Sequence, residues 1–212
     1  MLVSAEIRLF WFDTKPSELE AWFMDAAIHG TKAGGPEDRT DIYLCDEKQA
    51  ELGVKTRGRN PGVEVKGLIE KSVGELEFDS YLIPIELWSK WPSEPLRVDA
   101  QAGVTLHKQR WIRTFDTTQT PPAASPWAMP EIGCNVEWTV VMTASGEMCW
   151  TLGFEAFGHL QDVESSLRST VGMMNDRRPP HSPGALALSY PALIQKVACT
   201  RIIDQTNVRG LT

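Results

Sequence analysis

The chain has 212 residues, of which 42% are hydrophobic and 23% charged, a composition that excludes wholesale disorder. Its 21 basic and 28 acidic residues give a net charge of −7, which excludes the broad basic face that non-specific nucleic-acid binding requires. No apolar run reaches membrane-spanning length and no signal peptide opens the chain, so the expected setting is cytoplasmic, with neither membrane nor nucleic acid as partner.

Residues 3–11 (VSAEIRLFW) alternate with period two and predict a strand with Glu6 and Arg8 on one face. Lys15-Pro16-Ser17 opens a short helix with Leu19, Trp22, Phe23, Ala26 and Ala27 at helical spacing, ended by Gly30 and Gly34-Gly35. A strand is predicted over 39–45. Residues 52–59 and 63–69 read as two strands of a hairpin turning at Asn60-Pro61-Gly62. Residues 75–85 predict one further strand, and 86–95 a Trp- and Pro-rich connection with a helical turn.

Residues 104–115 (VTLHKQRWIRTF) predict a long strand, and 117–131 an exposed loop rich in Pro, Thr and Ala. Residues 135–143 and 148–157 flank Ala144-Ser145-Gly146 as a second hairpin. Helices are predicted over 160–174 and 188–199, joined by a linker at 177–184. The sum is an α+β chain, mainly antiparallel β, of about eight strands: a barrel or strongly curved sheet with peripheral helices. Residues 1–212 are expected to form one domain with a C-terminal helical segment. Cys45, Cys134, Cys149 and Cys199 form no CxxC and read as small buried hydrophobes.

The informative feature is which residues share a strand face. Lys55, Arg57 and Arg59 lie on one side of 52–59, Glu64 and Lys66 on one side of 63–69, and Lys108 and Arg110 on one side of 104–113. Glu137 and Glu155 fall on single faces of the last hairpin. Such rows suit the solvated outside of half-buried strands equally well. Against that, Arg and Lys dominate two strands whose opposite faces are apolar, and eight Trp residues and several helices are available to cover those faces. A barrel with a charged lumen and covered walls accounts for both facts. Cations in a lumen need counter-charge, from Glu side chains and from an anionic ligand.

The segments "LGVKTRGRNPGVEVKG" (52–67), "KQRWIR" (108–113), "NVEWTVV", "WTLGFEAFG" and "LSYPALI" (188–194), in this order, resemble the CYTH superfamily of triphosphate tunnel proteins. The resemblance implies an eight-stranded antiparallel tunnel that binds a triphosphate or another phosphorylated or anionic small molecule. It implies phosphate binding by Arg8, Lys55, Arg57, Arg59, Lys66, Lys108, Arg110 and Arg113. It further implies Glu6, Glu64, Glu137 and Glu155 as ligands for Mg²⁺ or Mn²⁺, with hydrolysis of the triphosphate as the activity. The family's first strand carries Glu-x-Glu-x-Lys, where this chain has Ser4-x-Glu6-x-Arg8, so anion binding with weak or absent metal-dependent hydrolysis is expected. The other readings are a non-catalytic barrel, either a lipocalin-like carrier or a CYTH relative that has lost metal, and a scaffold whose charged strands face water.

Overall fold

The computed structural model describes residues 2–44, 50–57, 60–93, 103–125 and 128–197. Eight strands close into an antiparallel barrel: β1 (Leu2–Trp11), β2 (Gly34–Leu44), β3 (Leu52–Arg57), β4 (Asn60–Glu70), β7 (Glu86–Ser93), β8 (Gly103–Asp116), β10 (Gly133–Thr143) and β11 (Met148–Gly158). Around the barrel the order is β10-β11-β1-β7-β4-β3-β2-β8, and β8 pairs back onto β10. Two short pieces, β9 (Ala123–Ala124) on β8 and β12 (Leu186–Ala187) on β1, extend the sheet.

The barrel turns its apolar faces outward. Ala5, Ile7, Leu9 and Trp11 of β1, with Val136, Trp138, Leu152 and Phe154 of β10 and β11, form the main core on the outside of the wall. Helix α1 (Ser17–Met24) covers them with Leu19, Trp22 and Phe23; helix α3 (Val163–Asp176) does so with Val163, Leu167, Val171 and Met174. Short α2 (Ala26–His29) follows α1, its first turn capped by the Asp25 carboxylate. Burying one such aliphatic or aromatic side chain is worth about 1.5–3 kcal/mol, so this outer layer carries the apolar stabilisation of the fold.

A second, smaller core lies inside the barrel at one end. Phe10, Tyr43, Val104, Leu106, Val141 and Cys149 point inward there, and Leu193 and Ile194 of a helix over 190–197, α4, pack against them. The Ser189 hydroxyl accepts from the Ala192 amide and starts that helix. One mouth of the barrel is therefore stoppered by the chain itself.

Two sequence expectations are corrected here. Residues 75–85 are a hairpin outside the barrel, β5 (Glu75–Phe78) and β6 (Tyr81–Pro84), and not one strand. The reversal sits at Asp79, whose φ of 55° is tolerated by a short polar side chain, and whose amide donates to Asn175 Oδ1 at 3.2 Å. Residues 86–93, read as a connection, are the stave β7 between β1 and β4. Pro92 is accepted because it lies one residue from the strand's end, where few ladder bonds are lost.

The first hairpin forms between β3 and β4, but Asn60-Pro61-Gly62, expected as its turn, is the start of β4, with Asn60 paired to Arg57. Residues 58–59 lie outside the described residues. The second hairpin turns at Gly146, with φ of 89°. Cys134 and Cys149 are buried free thiols, and burial pushes both up to about 12; Cys45 and Cys199 lie outside the described residues. Among the described residues no helix is long and apolar enough to cross a membrane.

Candidate functional site: a charged lumen

Strand alternation decides what enters the barrel. The cross-strand register aligns Glu6 with Glu155, Arg8 with Gly153, and Gly153 in turn with Glu137, so these positions share the inner face. The register of β2, β3 and β8 likewise aligns Arg39 with Lys108, Asp41 with Arg57, and Tyr43 with Lys55. A cavity of about 50 Å³ in this lumen is lined by Glu6, Arg8, Arg39, Lys55, Arg57, Glu64, Lys66, Lys90, Arg110, Glu137, Glu155 and Tyr190, among others. Lys108, whose side chain is fully buried, reaches the same region through Asp41 and Tyr43.

The ion pairs fall into three groups. In the first, Lys90 lies 3.0 Å from Glu6 Oε1 and also bonds Glu155, while Lys66 bonds the other oxygen of Glu6. In the second, Glu137 receives Arg8 at 2.9 Å and Arg110 at 2.8 Å, and Arg110 Nε also donates to Glu37 at 3.1 Å. Gly153 makes that reach possible: an added Cβ would strike the Arg8 guanidinium, which crosses β11 at this point on its way to Glu137. In the third, Asp41 is shared by Lys108 at 3.0 Å, Arg39 at 3.4 Å and Lys55 at 3.6 Å, and Glu64 by Arg57 at 2.9 Å and Lys55 at 3.2 Å.

The groups differ in balance. The first holds two lysines against two carboxylates, and the second two arginines against two. The third sets Arg39, Lys55, Arg57 and Lys108 against Asp41 and Glu64, and Arg39 also reaches Glu37 of the second group at 3.7 Å. Arg39 Nε and Nη1 and Asp41 Oδ1 are buried there without a hydrogen-bond partner. Aromatic faces lend partial compensation: Lys108 Nζ is 3.5 Å from the centre of the Tyr190 ring, and Arg8 stands 4.7 Å from the same ring.

The electrostatics follow this division for the carboxylates and Lys90, whereas burial lowers Lys66 of the first group despite Glu6. Burial raises the Glu6 carboxyl, but Lys66 and Lys90 outweigh it and hold the group well below the usual carboxylate range. Glu137 is likewise held far down by Arg8 and Arg110 against its burial. Burial disfavours the Lys90 cation, yet Glu155 and Glu6 more than offset this and raise its pKa. In the third group the balance tips the other way. Burial lowers Lys55 to about 8 despite Glu64 and Asp41, and burial together with Lys55 pushes Lys108 well below the ordinary lysine value. Asp41 lies at about 2, its burial outweighed by Lys108, Lys55 and Arg39.

Of the side chains predicted from sequence, Arg8, Lys55, Arg57, Lys66, Lys108, Arg110, Glu6, Glu64, Glu137 and Glu155 come together here. Arg59 lies outside the described residues. Arg113 is placed elsewhere, contrary to expectation. It is an odd number of residues from Arg110 and so faces outward, where its guanidinium donates to the carbonyls of Phe23 at 2.8 Å and 2.9 Å and of Thr31 at 2.6 Å. Its role there is to hold α1 and the following loop against β8.

Sequence reasoning missed Lys90, Glu37, Arg39, Asp41, Tyr43 and Tyr190. The alternation Glu86-x-Trp88-x-Lys90 carried the signal for Lys90, and Arg39-x-Asp41-x-Tyr43 the signal for β2. The four acids expected to bind metal are each engaged by Lys or Arg, and among the described residues no three His, Cys, Asp or Glu side chains gather as a metal site. This donor set does not fit a hard divalent cation, which takes six to eight oxygens when it is Ca²⁺ and near-octahedral oxygens when it is Mg²⁺.

No family model matches the chain, and no curated protein matches it. Among solved structures, the PH1012 protein of Pyrococcus horikoshii OT3 is similar over 92% of this chain and 98% of that one, with a TM-score of 0.44 and 12% identity.

Proposed function

We propose that the lumen binds a phosphate-rich small anion, and that the chain is a divergent relative of the CYTH tunnel proteins in which anion binding persists with little or no hydrolysis. One observation carries the reading: on the β2–β3–β8 wall three buried cations, Arg39, Lys55 and Lys108, crowd onto Asp41, and the further acids within their reach, Glu37 and Glu64, are already engaged by Arg110 and Arg57. Buried charge without compensation is costly, and an oxyanion supplies both negative charge and hydrogen-bond acceptors for Arg39 and its neighbours. Arg presents a fork that fits phosphate oxygens in pairs, while Lys55 and Lys108 act as point charges.

The cavity of about 50 Å³ holds only a few water molecules, so a phosphate chain enters by exchanging with internal partners. Arg57 and Glu37 are the pair members best placed to move, because their side chains are 44% and 47% exposed. A carrier of apolar ligands fits less well. The apolar end of the lumen is already filled by Leu193 and Ile194.

Thermal melts in low salt, with and without millimolar tripolyphosphate, pyrophosphate or sulfate, test the proposal. Ligand at 100 times its Kd stabilises the fold by about 2.7 kcal/mol, a shift of several degrees. The absence of any shift with all three anions overturns it.

A further inference from the structure

We infer that Lys90 is a tethered cation occupying the position between the β1 and β11 carboxylates where a divalent metal would otherwise sit. Glu6 and Glu155 are direct partners in the β1–β11 ladder. Like charges directly opposed across a sheet repel, and such a pair needs a cation between its members. β7 flanks β1 on the other side and aligns Leu2 with Lys90, which brings the lysine past Ser4 toward both acids. Its ammonium lies 3.0 Å from Glu6 Oε1 and bonds Glu155 Oε1.

The remaining valences are also filled. Lys66 takes Glu6 Oε2, and the Ser4 hydroxyl donates to Glu6 Oε1 at 2.6 Å. Where a second acid on β1 would add negative charge for a metal, this chain has a donor that quenches the first acid. Glu137, the third inward acid of this region, is held by two arginines and by the Thr139 hydroxyl at 3.0 Å. Mg²⁺ needs oxygens at about 2.0–2.1 Å and would have to expel the ammonium from a buried position to obtain them. The lumen therefore takes its anion without metal. That last statement rests on the proposed function; the cation assignment itself does not.

The test uses Mn²⁺ alone, without any anion, and reads the free ion by electron paramagnetic resonance. Wild-type protein leaves submillimolar Mn²⁺ free. Lys90→Met, which strips the cation from Glu6 and Glu155, takes up about one Mn²⁺ per chain, and Lys90→Arg, which keeps a cation there, takes up none. Circular dichroism establishes that each variant folds. Uptake of one Mn²⁺ by the wild type, or none by folded Lys90→Met, overturns the inference. If Lys90→Met does not fold, the wild-type titration decides alone. In a second measurement, the Kd of the wild type for tripolyphosphate is the same before and after EDTA treatment, and loss of binding with EDTA also overturns it. An absence of tripolyphosphate binding under both conditions would instead defeat the functional proposal and leave the Mn²⁺ result standing.

Discussion

On the β11–β1–β7–β4 side of the lumen, acids and bases alternate: Glu155, Lys90, Glu6 and Lys66 form a chain of contacts in which each lysine meets a carboxylate. On the β2–β3–β8 side, Asp41 is divided among three cations at 3.0–3.6 Å, and two buried nitrogens of Arg39 lie in ion-pair range of Asp41 and Glu37 without a hydrogen bond. The two walls use the same residue types at the same strand spacing. The difference lies in charge balance, and it separates a wall whose charges match from one with a surplus of cations. The titration of the lysines does not divide along the same line: Lys90 is raised, but burial lowers Lys66 as it lowers Lys55 and Lys108.

Four measurements test this contrast. The largest effect is expected from removing a carboxylate that completes its group. Glu137→Ala leaves Arg8 and Arg110 buried with less compensation, and urea unfolding should register a loss of about 3–5 kcal/mol. Removing a cation from the surplus wall should behave otherwise. Lys108→Met relieves repulsion with Lys55 and keeps unfolding free energy within about 1 kcal/mol, while weakening tripolyphosphate binding by about 2 kcal/mol, roughly 30-fold, in calorimetry. If Lys108→Met binds tripolyphosphate like the wild type, the surplus wall is not the anion site.

Arg113 tests the outer face of β8. Arg113→Ala removes the donors to the Phe23 and Thr31 carbonyls and should cost about 1–3 kcal/mol of stability, with the tripolyphosphate Kd unchanged. A change in Kd would tie that face to the lumen. The smallest effect is expected from pH. Lys55 has a folded pKa of about 8, below its ordinary value, so between pH 8 and the ordinary lysine range the unfolded chain binds more protons. Its contribution to stability is therefore unfavourable below about pH 8 and eases as pH rises through that window. Anion binding moves the opposite way, because the deprotonated amine no longer attracts it. The melting shift produced by tripolyphosphate should thus be smaller at pH 9.5 than at pH 7, and calorimetry near pH 8 in buffers of differing ionisation enthalpy should show proton uptake on binding.

Much of the site was legible because period two is an exact rule within a strand. Lys55 and Arg57, Glu64 and Lys66, Lys108 and Arg110 share the inner face as their spacing requires. The same rule excludes Arg113, which the resemblance carried by 108–113 had included. Lys90 was missed because Pro92 and the neighbouring Trp residues resemble a connection, whereas a proline near a strand end costs little. Arg39, Asp41 and Tyr43 looked unremarkable within their strand, since the surplus of cations exists only once β8 lies beside β2 and β3 beside that. Tyr190 could not be found at all from periodicity. Its helical pattern reports an apolar face, and nothing in that pattern says the face enters a barrel.

The α4 helix has a consequence for traffic through the lumen. With Leu193 and Ile194 seated among Phe10, Leu106 and Val141, the barrel is a blind socket, and anything that enters must leave by the same door. A polymeric chain cannot be threaded through such a socket; it can only insert an end. Bound phosphate would also stand in the way of the next arrival, so occupancy would be governed by how fast one guest backs out. An anion with a free terminus would suit that geometry, and one capped at both ends would not.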